Sequence, residues 1–165
     1  MIETNNHKLK HLIYYSVPIT FDEETVKEIL LKSRQNNAQS NVTGALICRS
    51  DLYFQYLEGP IDEVNKTFKK IELDNRHKNI QKIKEDETTR RLFASWAMRE
   101  DPVKSWMWTR IEVKAGILTR VKPKEAFEVF ERLSREVDQF DQELWKKLKS
   151  SELWLEFYFL DINLI

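Results

Sequence analysis

The order of elements legible along these 165 residues is β-α-β-β-α-β-β. It predicts an α+β fold of the ferredoxin-like, split βαβ type, with two helices on one face of a sheet and further helices at the C-terminus. Three observations carry that reading. Strand-length runs of aromatic and aliphatic residues stand at Leu12–Val17, Val42–Cys48 and Leu52–Leu57. Helical spacing separates them, in Val26, Ile29 and Leu30 and again in Ile61, Val64, Phe68 and Ile71. After about Glu100 the pattern changes to a long repeat of threes and fours.

The first strand ends near Pro18, which cannot donate to a ladder. Thr20 and Glu23 have the spacing of a capping box and predict the start of the first helix. The helical stripe then runs out in the polar segment Ser33-Arg34-Gln35-Asn36-Asn37. Ser50-Asp51 makes a short connection between the second and third strands, and Glu58-Gly59-Pro60 stops the third. A second helix is expected from about Ile61 to Leu73, followed by a polar loop, Asp74-Asn75-Arg76-His77. Ile80–Glu87 and Phe93–Met98 complete the strands.

Beyond them, Thr109 with Glu112 offers another capping box, and Pro123 suits the first turn of a helix. From Phe130 to Ile165 the apolar positions alternate by threes and fours, which predicts two helices that fold back on the sheet or form a seam between copies. The domain boundary is expected near 99/100, with residues 9–99 as one domain and 100–165 as a helical extension.

Composition excludes several classes. Lys plus Arg and Asp plus Glu number 27 each, so the formal net charge of zero argues against a general nucleic-acid binder. Three glycines leave no room for a P-loop or a dinucleotide fingerprint. One cysteine, Cys48, excludes a disulfide framework and points to a reduced, cytoplasmic setting. The polar stretch Met1–Lys10 lacks the apolar core of a signal peptide, and no run approaches the roughly 18 apolar residues of a membrane span. An acylphosphatase-like enzyme would want a basic residue in the turn Ser16–Ile19, and none is there.

The residue that asks for a function is Gln55, set inside Leu52-Tyr53-Phe54-Gln55-Tyr56-Leu57. A buried carboxamide carries two donors and a two-lone-pair acceptor, and leaving such a group unpaired costs about 1–3 kcal/mol. Strand parity puts Tyr53, Gln55 and Leu57 on one face, and likewise Leu12, Tyr14 and Ser16. If both faces look toward the helices, Tyr14, Gln55, Trp96 and Met98 share a chamber that Asn36, Asn37, Arg76 and His77 can reach. An apolar slot between Ile29 and Ile71, ringed by amides and a guanidinium, suits a flat heterocycle with carbonyls on its rim.

Six stretches, in order and in register across residues 9–99, make the chain resemble the BLUF domains, blue-light sensors that bind a flavin. They are Leu12-Ile13-Tyr14-Tyr15-Ser16, Ser33-Arg34-Gln35-Asn36-Asn37, Val42-Thr43-Gly44-Ala45-Leu46, Phe54-Gln55-Tyr56-Leu57-Glu58-Gly59, Asp74-Asn75-Arg76-His77 and Phe93-Ala94-Ser95-Trp96-Ala97-Met98. The resemblance implies that Tyr14 gives an electron and a proton to the excited flavin, and that Gln55 bridges the tyrosine and the ring. It implies a ring edge bonded by Asn37, with Asn36 beside it, and a second carbonyl near Arg76. Asp74 and His77 would lie near the sugar-like chain or the ring, and Ile29 and Ile71 would sandwich it.

Trp96 and Met98 are the implied path outward, to the C-terminal helices and a downstream protein partner. FAD is the family's usual ligand, with FMN as the alternative; no membrane or nucleic-acid partner is implied, and assembly of copies through the C-terminal helices is a further option. Asn41-Val42 and Ala97 differ from residues common in the family. The competing reading of the same fold is a regulatory module that binds a small molecule without photochemistry.

Overall fold

The computed structural model describes residues 8–94, 98–102 and 104–150. Among the described residues five strands and four helices follow in the expected order: β1 Leu9–Pro18, α1 Glu23–Ser40, β2 Thr43–Arg49, β3 Leu52–Pro60, α2 Ile61–Glu72, β4 His77–Thr88, β5 Arg99–Pro102, α3 Arg110–Lys114 and α4 Pro123–Ser150. A 3-10 turn at Ile117–Thr119 lies between α3 and α4. The sheet order is β4-β1-β3-β2-β5. The first four strands are antiparallel neighbours, and β5 adds to the outside of β2 in parallel. The chain divides into two compact units, residues 1–130 and 131–165, and the sheet with both of its layers belongs to the first.

Two apolar layers follow from strand parity. On one face Leu12, Tyr14, Leu46, Cys48, Tyr53 and Leu57 pack with Val26 and Leu30 of α1 and Val64 and Phe68 of α2. The opposite face is covered as well. Phe54 stacks on Phe130 with centroids 4.8 Å apart and meets Trp108 edge-on at 5.3 Å. Tyr56 touches Phe93, Phe127 and Phe130. Residues 104–130 thus close the side of the sheet that the two long helices leave open, and the first turns of α4 supply the aromatic lid.

Several boundaries differ from expectation, each for a local reason. The N-cap of α1 is Asp22, whose carboxylate accepts from Thr25 N at 2.7 Å, rather than Thr20. The helix does not stop at Ser33–Asn37. It runs on to Ser40 because Asn37 is buried, and it ends only where Asn41 takes left-handed angles (φ 54°, ψ 34°). β4 starts at His77 and includes two extra residues opposite β1: Ile13 faces Lys84 while Tyr14 faces Lys82, and Tyr15 faces Gln81 while Val17 faces Lys78, where Asn79 takes φ 55°.

The last strand among the described residues is β5 at Arg99–Pro102, and residues 93–94 of the expected strand Phe93–Met98, like 91–92 before them, are irregular. Their amides are taken elsewhere, since Leu92 N and Phe93 N both donate to the Glu58 carboxylate. Trp96 lies outside the described residues.

The capping box at Thr109 and Glu112 is present in both directions, and Pro123 opens α4. The first helix of the expected C-terminal pair is continuous to Ser150, and the rest of that expectation, residues 151–165, lies outside the described residues. In the second unit the helix carries an Arg132–Glu136 ion pair at 3.5 Å. Phe130 has no exposed surface and sits at the centre of the aromatic layer, so Phe130→Ala should cost about 3–5 kcal/mol in urea unfolding. A loss below about 1 kcal/mol would show that this layer does not contribute to stability.

Candidate functional site

β1 and β3 place Tyr14 directly opposite Gln55, so both side chains emerge on the face covered by α1 and α2. The Tyr14 hydroxyl donates to Gln55 Oε1, and Gln55 Nε2 donates to Met98 Sδ at 3.3 Å. Phenol, amide and thioether are all buried. The carboxamide therefore has a strong partner on its oxygen and only a thioether, a weak acceptor, on its nitrogen. Rotating the amide by half a turn would exchange its donor and acceptor ends at nearly constant shape. Met98 is itself held from the other side, since Arg34 Nε of α1 donates to its carbonyl at 3.0 Å.

Gln55 and Leu57 form the floor of a cleft of about 1040 Å³ between α1 and α2. Asn36 and Asn37 line it from α1, Ile71 from α2, and Asp74 and Arg76 from the turn that follows. Asn37 is buried and Asn36 exposed, which separates their contributions. Arg76 Nε donates to Asp74 Oδ1 at 2.9 Å and its Nη2 to Oδ2 at 2.5 Å. That bidentate grip holds the Asp74 carboxyl below the usual carboxylate range and fixes the guanidinium plane at the cleft rim. Lys32 of α1 and Lys66 and Lys70 of α2 also line the cleft, together with Glu28 and Glu63, and Lys66 Nζ donates to Glu63 Oε1 at 2.7 Å.

One expected residue takes another role. His77 Nε2 lies 2.9 Å from the Ile71 carbonyl, which can only accept, so this nitrogen carries hydrogen. In the neutral ring Nδ1 then accepts from Ser16 Oγ at 2.7 Å. His77 thus ties the start of β4 to β1 and to the end of α2, and it does not line the cleft. Ile29 is partly buried and packs against the core under α1, as Ile71 does from α2. The sequence reading did not single out Leu57, Arg34 or the three lysines. Only the i, i+4 spacing of Lys66 and Lys70 hinted at a shared face.

A buried amide with spare donor capacity, flanking amides, one aliphatic wall and a fixed guanidinium are what a planar heterocycle bearing carbonyls requires. Among the described residues no cluster of His, Cys, Asp or Glu could hold a metal, and no helix is long and apolar enough to cross a membrane. Fold and site together are those of a ferredoxin-like module with a cleft suited to a small planar ligand.

The family model described as BLUF, sensors of blue light using FAD, matches residues 9–99, more than half of the chain. The chain belongs to that family, and the matched residues are its blue-light sensor domain.

The blue light- and temperature-regulated antirepressor BluF of Escherichia coli (strain K12) is 36% identical over 80 residues, covering 47% of this chain and 20% of that protein. Photoactivated adenylate cyclase subunit alpha of Euglena gracilis is 27% identical over 104 residues, covering 61% of this chain and 10% of that one. The chain therefore matches only a small part of these longer relatives. Among solved structures, the dark state of the BLUF protein BlrB aligns with a TM-score of 0.65 at 25% identity, covering 79% of this chain and 98% of that one. A bacterial light-regulated adenylyl cyclase aligns with a TM-score of 0.57 at 32% identity, covering 75% of this chain and 36% of that one.

The two tyrosines on this face give a pH signature. Burial pushes Tyr53 up to about 12 from an ordinary 10.0, and it pushes Tyr14 higher still, helped by Asp74. The unfolded chain sheds these protons first as pH rises, near 10. The stabilisation is complete below pH 10, and Tyr53's share is lost as pH climbs toward 12. Urea midpoints should hold steady up to about pH 9.5 and fall above it, and Tyr53→Phe should fall less steeply than the parent protein.

Proposed function

We propose that this chain is a blue-light photoreceptor that holds FAD in the cleft between α1 and α2 and converts absorbed light into a rearranged hydrogen bond at Gln55. The observation that carries the reading is the continuous buried path from the Tyr14 hydroxyl through the Gln55 amide to Met98 Sδ, with the amide exposed to the cleft on one side. A bound flavin supplies the blue-light chromophore and, once excited, an oxidant.

What the protein contributes follows from its own groups. Burial keeps the Tyr14 phenol protonated, so loss of an electron from its ring must be accompanied by loss of its proton. Gln55 Oε1 is the acceptor within reach. When the electron returns to the Tyr14 ring, the amide can return the proton to its oxygen and be left with its ends exchanged, or in its other tautomer, presenting a donor where it had an acceptor. Either outcome alters what Met98 meets at the opposite end of the amide. Such a change is small, so it can switch only an element whose two states lie within a few kcal/mol.

Asn37 and Asn36 would hold the ring's polar edge, Ile71 its apolar face and Arg76 a second carbonyl. Ile29 and His77 support the walls from behind. The cleft is large enough for more than a tricyclic ring, and Lys32, Lys66 and Lys70 at its opening suit the phosphates of FAD, or of FMN. The sensor would act without catalysis of its own, through the stretch that includes Trp96 and Met98 and the C-terminal helices, on a downstream protein partner or through its own assembly. The relatives' names, an antirepressor and an adenylate cyclase, illustrate outputs of those proteins. The buried free thiol of Cys48 suits a reducing, cytoplasmic compartment.

Purified protein should be yellow, and blue light should move its absorption reversibly to the red. Gln55→Leu should retain the flavin and lose the shift; a normal shift in that variant would refute the amide's role, and a protein that takes up no flavin would refute the whole reading. Changing Lys32, Lys66 and Lys70 together to Gln should weaken FAD and FMN roughly tenfold in fluorescence titration, on the scale of three exposed ion pairs, and leave riboflavin almost unchanged. Equal loss for all three ligands would place the lysines outside the phosphate contact.

A further inference from the structure

On the face of β3 opposite Gln55, Glu58 is a carboxylate with no exposed surface. It stands directly across from Thr43 of β2, whose Oγ1 donates to its Oε1 at 3.0 Å. Leu92 N donates to Oε2 at 2.8 Å, and Phe93 N donates to Oε1 at 2.7 Å. Arg91 completes the knot: its Nη1 reaches Thr43 Oγ1 at 2.8 Å and the Glu58 carbonyl at 3.2 Å, and its Nη2 reaches the Asn41 carbonyl at 2.7 Å. A buried charge is retained at such a point only where its lone pairs are met, and here two backbone amides and a hydroxyl meet them.

What this anchor holds is the connection from β4 to β5, which passes from one edge of the sheet to the other. At Phe93 the connection packs on Tyr56 and Phe130, on the face away from the cleft. Five residues later Met98 lies on the cleft face, its sulfur on Gln55 Nε2 and its carbonyl on Arg34. Five residues span at most about 17 Å when fully extended, so the chain joining the two ends is short. It is the route by which a displacement of the Leu92 and Phe93 amides would reach Met98.

Building on the photoreceptor reading above, we infer that Glu58 is a positioning residue: its carboxylate, with Thr43 and Arg91, fixes the crossover so that Met98 is presented to the Gln55 amide. It touches neither the amide nor the cleft and acts through five residues of chain. Arg34 secures the far end, so the thioether is set by two tethers, one on each face of the sheet.

The test uses the full chain with methyl-labelled methionine. Glu58→Gln keeps the shape but replaces one acceptor with a donor facing other donors. It should speed amide exchange at Leu92 and Phe93 at least tenfold, move the Met98 methyl resonance with and without flavin, and accelerate return from the lit spectrum at least fivefold. Thr43→Val should do the same to a smaller degree and Thr43→Ser should not, because the hydroxyl rather than general stability is the variable. Should Glu58→Gln fail to fold, the Thr43 pair decides.

Faster exchange at Leu92 and Phe93 with an unmoved Met98 resonance would overturn the inference, leaving Glu58 a loop anchor alone. Identical Met98 resonances in both Thr43 variants would do the same. A parent protein without any light-induced shift would refute the photoreceptor reading, while the Met98 resonance measured without flavin would still decide the role of Glu58.

Discussion

One carboxamide in the middle of the sheet organises this molecule. Gln55 occupies a position where strand parity and neighbours call for an apolar side chain, and its hydrogen-bonding capacity has to be met inside the protein. Tyr14 meets the oxygen across the β1–β3 pairing, and Met98 meets the nitrogen from beyond β2. One of those partners is strong and the other weak. That inequality leaves the amide able to favour a different arrangement when something better than a thioether enters the cleft.

The rest of the architecture keeps that amide dry and in register. α1 and α2 cover its face and leave the cleft between them, while residues 104–130 seal the opposite face with aromatic rings. The turn after α2 does two jobs with adjacent residues. Asp74 fixes the Arg76 guanidinium at the rim, and His77 ties β4 to β1 through Ser16. Polar groups that line the opening and polar groups that brace its walls thus alternate along a few residues, and sequence position alone does not separate them.

The fold was legible because its signals are local. Period-two runs and 3.6-period stripes mark β1–β3, α1 and α2, and side-chain parity alone puts Tyr14 and Gln55 on one face. Failures occurred where a distant partner overrode a local signal. Phe93 and its neighbours look like a strand, but Glu58 captures the amides that a ladder would need. The Ser33–Asn37 segment looks like a helix exit, yet burial of Asn37 carries the helix on to Ser40. His77 bonds Ser16 and the Ile71 carbonyl, partners that its neighbours in sequence do not reveal. Glu58 itself went unnoticed as part of a strand-stopping signal, although its parity already assigned it to the face away from Gln55.

The strand order β4-β1-β3-β2-β5 puts two strands on each side of the one that bears Gln55. A central strand is bonded along both edges, so its backbone is the part of the sheet least able to shift. At one edge lies β5, only four residues long, joined to β2 in parallel and preceded directly by Met98. The layout sets a centre bonded along both sides against a short margin bonded along one.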